Sequence, residues 1–235
     1  MSVAALVLAA GRGERLGSTV PKAFVPLAGT PLLLHTLAAL ARVPEIDCVV
    51  PVLAAADHAR FEALRAALAR IPKLAPAVTG GAERQDSMRA GLAALGAEVT
   101  LVAVHDAARP FVRARDVARV LEAARAVGAA VLAVPVTDTI KRVRAGRVVE
   151  TPGRDECWAA QTPQAFRIEI LREALAKAVA AGVRVTDDAQ LVERLGLPVA
   201  VVEGDPGNVK ITRPGDLVAA ESRLARGIEG EEAAS

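Results

Sequence analysis

Along the chain, short apolar runs closed by glycine or proline alternate with longer stretches of helical period. The first run, residues 3–8, is continuous and breaks into Gly11, Gly13 and Gly17. A run that short, bounded by glycines, predicts a strand buried on both faces of a parallel sheet. Further strands are expected over 46–53, at a short run closing on Val78, and over 99–104, 129–134 and 199–202. Helices are expected between them. The first starts at Thr30-Pro31, with Thr30 as N-cap, and runs to about Val43, where Pro44 stops it. The second is capped by Asp57 and ends near Arg70; others cover 83–95, 115–127 and 168–181. A helix follows Thr186-Asp187-Asp188, and a last one begins at Thr212-Arg213-Pro214. Repeated strand–helix units predict one α/β domain over 1–227, a doubly wound, mostly parallel Rossmann-like sheet. The tail, 228–235, is expected to be disordered.

The alternation breaks once. Residues 139–143 and 147–150 have β character around Ala145-Gly146, with Lys141, Arg142, Arg144 and Arg147 inside the pair. So polar a ribbon is marginal alone in water. It is expected to be an arm, about 137–157, that packs on the body or pairs with another chain.

Composition narrows the function classes. A 52% hydrophobic and 24% charged chain of 235 residues reads as a globular protein with a full core. A net charge of +2 is too small for a nucleic-acid or anionic-membrane footprint, and 2% aromatics leave no base-stacking platform. Cys48 and Cys157 lack metal-ligand spacing and read as reduced thiols. No basic stretch precedes the first apolar run, and that run is too short to span a bilayer. A cytoplasmic protein is expected, with neither nucleic acid nor membrane as partner.

Candidate chemistry starts at the first glycine turn. It reads Gly11-x-Gly13-x-x-Leu16-Gly17, with Arg15 inside and Pro21-Lys22 after it. Leu16 breaks the dinucleotide fingerprint, and Pro21 before Lys22 breaks the P-loop. Glycine still lets backbone N–H groups approach phosphate oxygens closely. Two cations on such a loop suggest a polyphosphate with a reacting phosphorus. Lysine is scarce, at 22, 73, 141, 177 and 210 only, so Lys22 and Lys210 are the candidate cations. Asp106 follows a buried strand, at the sheet edge where open α/β folds bind ligands. It is read as a magnesium ligand, since magnesium in such reactions uses one or two carboxylates plus substrate phosphates, against the alternative of a turn cap. His105 reads as a packed neighbour and not a base. Arg109 stands just past the same strand end, suited to a phosphate or to orienting Asp106. Gly80-Gly81 before a helix, with Ser87 in its first turn, could read the edges of a base.

The opening Leu8-Ala9-Ala10-Gly11-Arg12-Gly13-Glu14-Arg15-Leu16, with Pro21-Lys22, resembles that of the sugar nucleotidyltransferase superfamily. Further segments narrow the resemblance. They are Gly80-Gly81-Ala82-Glu83-Arg84-Gln85-Asp86-Ser87, Val104-His105-Asp106-Ala107-Ala108-Arg109-Pro110 and Val136-Thr137-Asp138-Thr139-Ile140-Lys141. Trp158 with Gln161-Thr162-Pro163-Gln164, Val185-Thr186-Asp187-Asp188-Ala189 and Asn208-Val209-Lys210-Ile211-Thr212-Arg213-Pro214 complete the set. In this order they resemble the 2-C-methyl-D-erythritol 4-phosphate cytidylyltransferase family over nearly the whole chain. Ala82 departs from it, standing where the family often has aspartate.

The resemblance implies roles at matching positions. Ala9, Ala10, Gly11, Gly13, Gly81 and Ser87 would hold CTP. Arg15, Lys22 and Lys210 would balance charge on the α-phosphate. Asp106 would bind magnesium. Asp106, Arg109, Thr139, Arg154, Thr162 and Thr186 would surround the acceptor, methylerythritol phosphate. The arm would make a homodimer, with Arg154 reaching the partner's site. Two alternatives stay open: a ribitol-5-phosphate cytidylyltransferase, with the same chemistry, and a catalytically silent nucleotide-binding module. Retention of Lys22, Lys210 and Asp106 together argues against silence.

Overall fold

The computed structural model describes residues 2–11 and 20–226; Gly13, Arg15 and the tail lie outside them. Seven strands form one sheet in the order β11-β7-β10-β6-β1-β4-β5. They are β1 (Ser2–Leu8), β4 (Cys48–Leu53), β5 (Val78–Thr79), β6 (Val99–Asp106), β7 (Ala129–Pro135), β10 (Trp158–Arg167) and β11 (Ala200–Glu203). Six run parallel and β10 runs antiparallel to both neighbours, β6 and β7. Two more pairs stand apart, β2 (Pro26–Leu27) with β3 (Thr30–Pro31), and β8 (Arg142–Arg144) with β9 (Arg147–Glu150).

Alternation along β1 builds the two faces. Val3, Ala5 and Val7 pack under α1 (Leu32–Ala41), Phe61 of α2 (His58–Glu62), Leu68 of α3 (Arg65–Leu68) and α5 (Ala114–Val127). Ala4 and Leu6 pack under α4 (Arg84–Ala93), α6 (Ile168–Ala180) and α7 (Ala189–Glu193). Helices on both faces leave each central strand without a wet side, which is why these runs are apolar throughout. The last helix, α8 (Pro214–Ala225), buries Ala220 against Val25, Leu27 and Ile211. Among the described residues no helix is long and apolar enough to cross a membrane.

Three expectations change. Thr30-Pro31 is not a helix start: Thr30 lies in β3, and Pro31 takes the N-cap place of α1 with no side-chain cap. The second helix is broken into a 3-10 turn and two short helices, and the Asp57 carboxylate accepts from Arg60 at 2.9 Å in place of capping. The sequence also hides β10, the strand in the middle of the sheet. Its centre, Gln161-Thr162-Pro163-Gln164, lacks the apolar run that marks the other strands, and no strand is expected there. The ladder to β7 lapses between Ala160 and Gln164, so the missing N–H of Pro163 leaves no bond unmade there. Gln161, Thr162 and Gln164 are buried because other segments satisfy them. Gln161 donates to Asp205 O at 2.9 Å, and Gln164 Oε1 accepts from the Ala189 N–H at 2.8 Å.

Because β10 returns beside β7, residues 136–157 form the loop of one long hairpin. Val136 N–H donates to Cys157 O at 3.1 Å and closes its base. The arm β8–β9 rises from that base, and every residue of 137–150 is exposed. Val143, Val148 and Val149 are more than half exposed, at 56%, 60% and 51%.

Candidate active site

Strand β1 is paired on one side with β4, the next strand of the chain's path, and on the other with β6. The path reverses there, and such switch points open a crevice at the carboxyl ends. Leu8 and Asp106, the last residues of β1 and β6, are register partners at that edge. A cleft of about 240 Å³ lies above them. It brings together Ala9, Ala10, Gly11, Lys22, Gly81, Ser87, Asp106 and Lys210. Glycine is required at its rim: a Cβ on Gly80 would stand 2.7 Å from Ser87 Oγ, and one on Gly81 would strike the Asp86 side chain. Ser87 is 2% exposed and its hydroxyl donates to Gly81 O at 3.4 Å.

Asp106 sits at the bottom of the cleft, 6% exposed, in a ring of cations. Its Oδ1 accepts from Arg84, its Oδ2 lies 2.7 Å from Lys210 Nζ, and Arg109 Nε stands 3.9 Å from Oδ2. Burial alone would raise this carboxyl. Arg84, and after it Lys210, override burial and hold it well below the usual carboxylate range. Arg84 also forks onto Asp188, with Nε to Oδ1 at 3.2 Å and the second terminal nitrogen to Oδ2 at 2.7 Å. Burial opposes charge on Arg84, but Asp188 and Asp106 outweigh it, so the guanidinium stays protonated.

Behind Asp106 lies a hydrogen-bonded wall. The Asp106 N–H donates to Thr162 Oγ1 at 3.1 Å, and Thr162 Oγ1 lies 3.0 Å from His105 Nδ1. His105 Nε2 is 3.1 Å from Arg109 O. A carbonyl only accepts, so Nε2 carries the proton and Nδ1 accepts from the Thr162 hydroxyl. His105 is fully buried, and burial pushes it down to about 4, so it is neutral at pH 7. Both ring nitrogens are engaged, Nδ1 with Thr162 and Nε2 with the Arg109 carbonyl, so the ring packs into this wall. Lys210 is held from the same side. Arg109 donates to Asn208 O at 2.7 Å, Asn208 donates to Thr162 O at 2.9 Å, and the Ile211 N–H donates to Ala108 O at 2.9 Å.

Other residues expected at the site lie elsewhere. Thr162 is 5% exposed and committed to His105 and Asp106, so it supports the cleft from behind. Arg109 is half-buried in the same wall. Thr186 is exposed and not among the residues that line the cleft, its N–H donating to Gln190 Oε1 at 3.1 Å. Thr139 and Arg154 are exposed on the arm, where Arg154 donates to Thr137 O at 3.2 Å. Arg15 and Gly13 fall outside the described residues. Arg84 and Asp188 carry no role from sequence alone. One signal was readable: Arg84 is the first residue of α4, and a cation at the positive end of a helix needs a carboxylate partner.

The family model for 2-C-methyl-D-erythritol 4-phosphate cytidylyltransferase matches residues 3–226. The protein of that name from Geobacillus kaustophilus is 46% identical over 225 residues, 96% of this chain and 98% of its own. The one from Symbiobacterium thermophilum is 47% identical over 94% of this chain and 92% of its own. Among solved structures, the cytidylyltransferase of Thermus thermophilus superposes with a TM-score of 0.78 at 41% identity, covering 96% of this chain and 100% of that one. The 4-diphosphocytidyl-2C-methyl-D-erythritol synthase of Anaerococcus prevotii gives 0.85 at 31% identity, covering 96% of each chain. These matches span the sheet, the cleft and the segments that line it, and the chain belongs to the 2-C-methyl-D-erythritol 4-phosphate cytidylyltransferase family.

Proposed function

We infer that this cleft is where the chain performs the reaction of its family. It transfers the cytidylyl group of CTP to 2-C-methyl-D-erythritol 4-phosphate, a step of non-mevalonate isoprenoid synthesis. The observation that carries the assignment to this cleft is the meeting of Lys22, Lys210 and Asp106 with Gly11 and Gly81 at the switch point.

An oxygen of the acceptor's 4-phosphate attacks the α-phosphorus of CTP. The new P–O bond forms as the bond to the β-phosphate breaks, and pyrophosphate leaves with the electron pair. The attacking phosphate monoester is already anionic at pH 7, so no general base is required, and neutral His105 is not needed as one. What remains is positioning and stabilisation of charge. Ala9, Ala10, Gly11, Gly81 and Ser87 hold the nucleotide, and Lys22, Lys210 and Arg15 neutralise charge that builds on the α-phosphate. Thr186 and Arg109 border the acceptor, with Thr162 behind them.

The donor set fits magnesium. A carboxylate offers about four acceptor sites, of which Arg84 and Lys210 take one each here, and one carboxylate plus substrate phosphates suffices for the ion. Asp106 would hold it, and it would neutralise phosphate charge as the pyrophosphate departs. Two chains pair through the exposed arm in this reading, which carries Thr139 and Arg154 toward the partner's cleft. The exposed valines on a ribbon with no core of its own support that pairing. The unpaired thiols Cys48 and Cys157 support a cytoplasmic enzyme.

The test is pyrophosphate release with each nucleoside triphosphate, using methylerythritol phosphate and ribitol 5-phosphate at equal concentration. CTP with methylerythritol phosphate should give the highest kcat/KM. A higher value with ribitol 5-phosphate would overturn the acceptor.

A further inference from the structure

Three consecutive residues at the start of α4 reach one distant segment. Gln85 Nε2 donates to Val183 O at 3.3 Å, Glu83 pairs with Arg184, and Arg84 forks onto Asp188. Their partners lie 98, 101 and 104 positions further along the chain. Residues 183–188 are therefore stitched to the wall of the cleft that Glu83 and Arg84 line. The middle stitch is the costly one. Asp188 is 1% exposed, and a buried ion pair adds little to stability over an apolar replacement. Its use is geometric. The guanidinium is planar and its donors form a fixed fork. Asp188 holds two of them, and that sets the direction in which the third meets Asp106.

We propose that Asp188 is a positioning residue for the acceptor substrate. Acting through Arg84, it aims the Asp106 carboxylate and keeps the segment bearing Thr186 against the cleft. The assignment rests on the reading of the cleft given above, with Thr186 on the acceptor side. It has a consequence of opposite sign for the two substrates. Arg84 lines the cleft, so without the Asp188 charge its guanidinium meets a bound polyanion with one counter-ion fewer, and CTP binds no more weakly. The Thr186 segment loses its forked ionic anchor at Asp188, so the acceptor binds less well.

Asp188→Asn keeps the shape and removes the charge. The KM for methylerythritol phosphate should rise about tenfold, the size expected from coupling within one ionic network. The Kd for CTP, measured by calorimetry without acceptor or magnesium, should stay level or fall. Equal weakening of both substrates would mean general loosening and would overturn the assignment, as would an unchanged acceptor KM. Gln190→Ala is the second variant, for the case that Asp188→Asn does not fold. It removes the acceptor of the Thr186 N–H without touching the cleft, and should give the same split, smaller. Absence of the split in a folded Gln190→Ala would overturn the proposal as well. The unaltered protein is run alongside. If it does not turn over methylerythritol phosphate, the functional reading falls and this inference with it. If it does and the split is missing, only the role of Asp188 falls.

Discussion

Asp106→Asn should destabilise the ligand-free protein, although Asp106 is placed at the site and removal of a functional residue often stabilises a fold. Three cations, Arg84, Lys210 and Arg109, converge on this one carboxylate. An amide of the same shape leaves them facing a neutral group and turns an N–H donor toward one of them. Deleting one partner of a buried ion pair costs about 3–5 kcal/mol. Two features reduce that here. Arg84 keeps both oxygens of Asp188, and the Lys210 side chain is 41% exposed, so water takes over part of its solvation. About 2 kcal/mol remains. With a urea m value of about 3 kcal/mol/M, the midpoint should fall by about 0.7 M. The pH dependence follows from the sign of the shift. The folded Asp106 titrates below its ordinary 3.8, so its contribution is complete above that value and is lost as pH falls through the folded one. The difference between parent and variant should stay flat from about pH 5 to 8 and close in acid. Equilibrium urea unfolding across that range measures it. A variant as stable as the parent at pH 7 would refute the reasoning, because the cations would then not need this carboxylate.

Lys22→Ala should lower kcat by about two to three orders of magnitude while CTP affinity changes little, since its charge acts on charge that develops in the transition state. Near-normal turnover with a raised KM, in steady-state kinetics, would remove that role. The protein should sediment as a dimer at micromolar concentration. Mixing Arg154→Ala with Lys22→Ala chains, each nearly inactive alone, should recover activity in the mixed dimer; a mixture that stays inactive would keep Arg154 out of the partner's cleft.

What was legible in the sequence follows from where each signal resides. The parallel strands β1, β4, β6 and β7 are buried on both faces over most of their length, so their burial is written as apolar runs, interrupted in β6 only by exposed Thr100 before the polar end at His105-Asp106. Gly11 and Asp106 follow or end those runs, Gly81 follows the short run closing on Val78, and all three could be placed with them. Strand β10 could not be placed. Its burial depends on the hydrogen bond that Gln161 donates to Asp205 O and the one that Gln164 accepts from the Ala189 N–H, 44 and 25 positions away, and no local pattern records them. The Arg84–Asp188 pair has the same character at a separation of 104. Thr30-Pro31 failed for a different reason. The cap pattern is sound local chemistry, but pairing of Pro31 with Pro26 and Thr30 with Leu27 draws the segment into a ribbon first.

The arm is, in topology, only the loop of the hairpin that joins β7 to β10. Its two ends stand one hydrogen bond apart, at Val136 and Cys157, and the sheet beneath is complete without it. The arm can therefore lengthen, shorten or change its charges while the contacts within the chain's own cleft wall, from Asp106 to Thr162, Asn208 and Lys210, stay in place. In the dimer proposed above, pairing and part of the acceptor site would ride on this single excursion of the chain, so a plain turn in place of 137–156 should leave the sheet intact and remove both together.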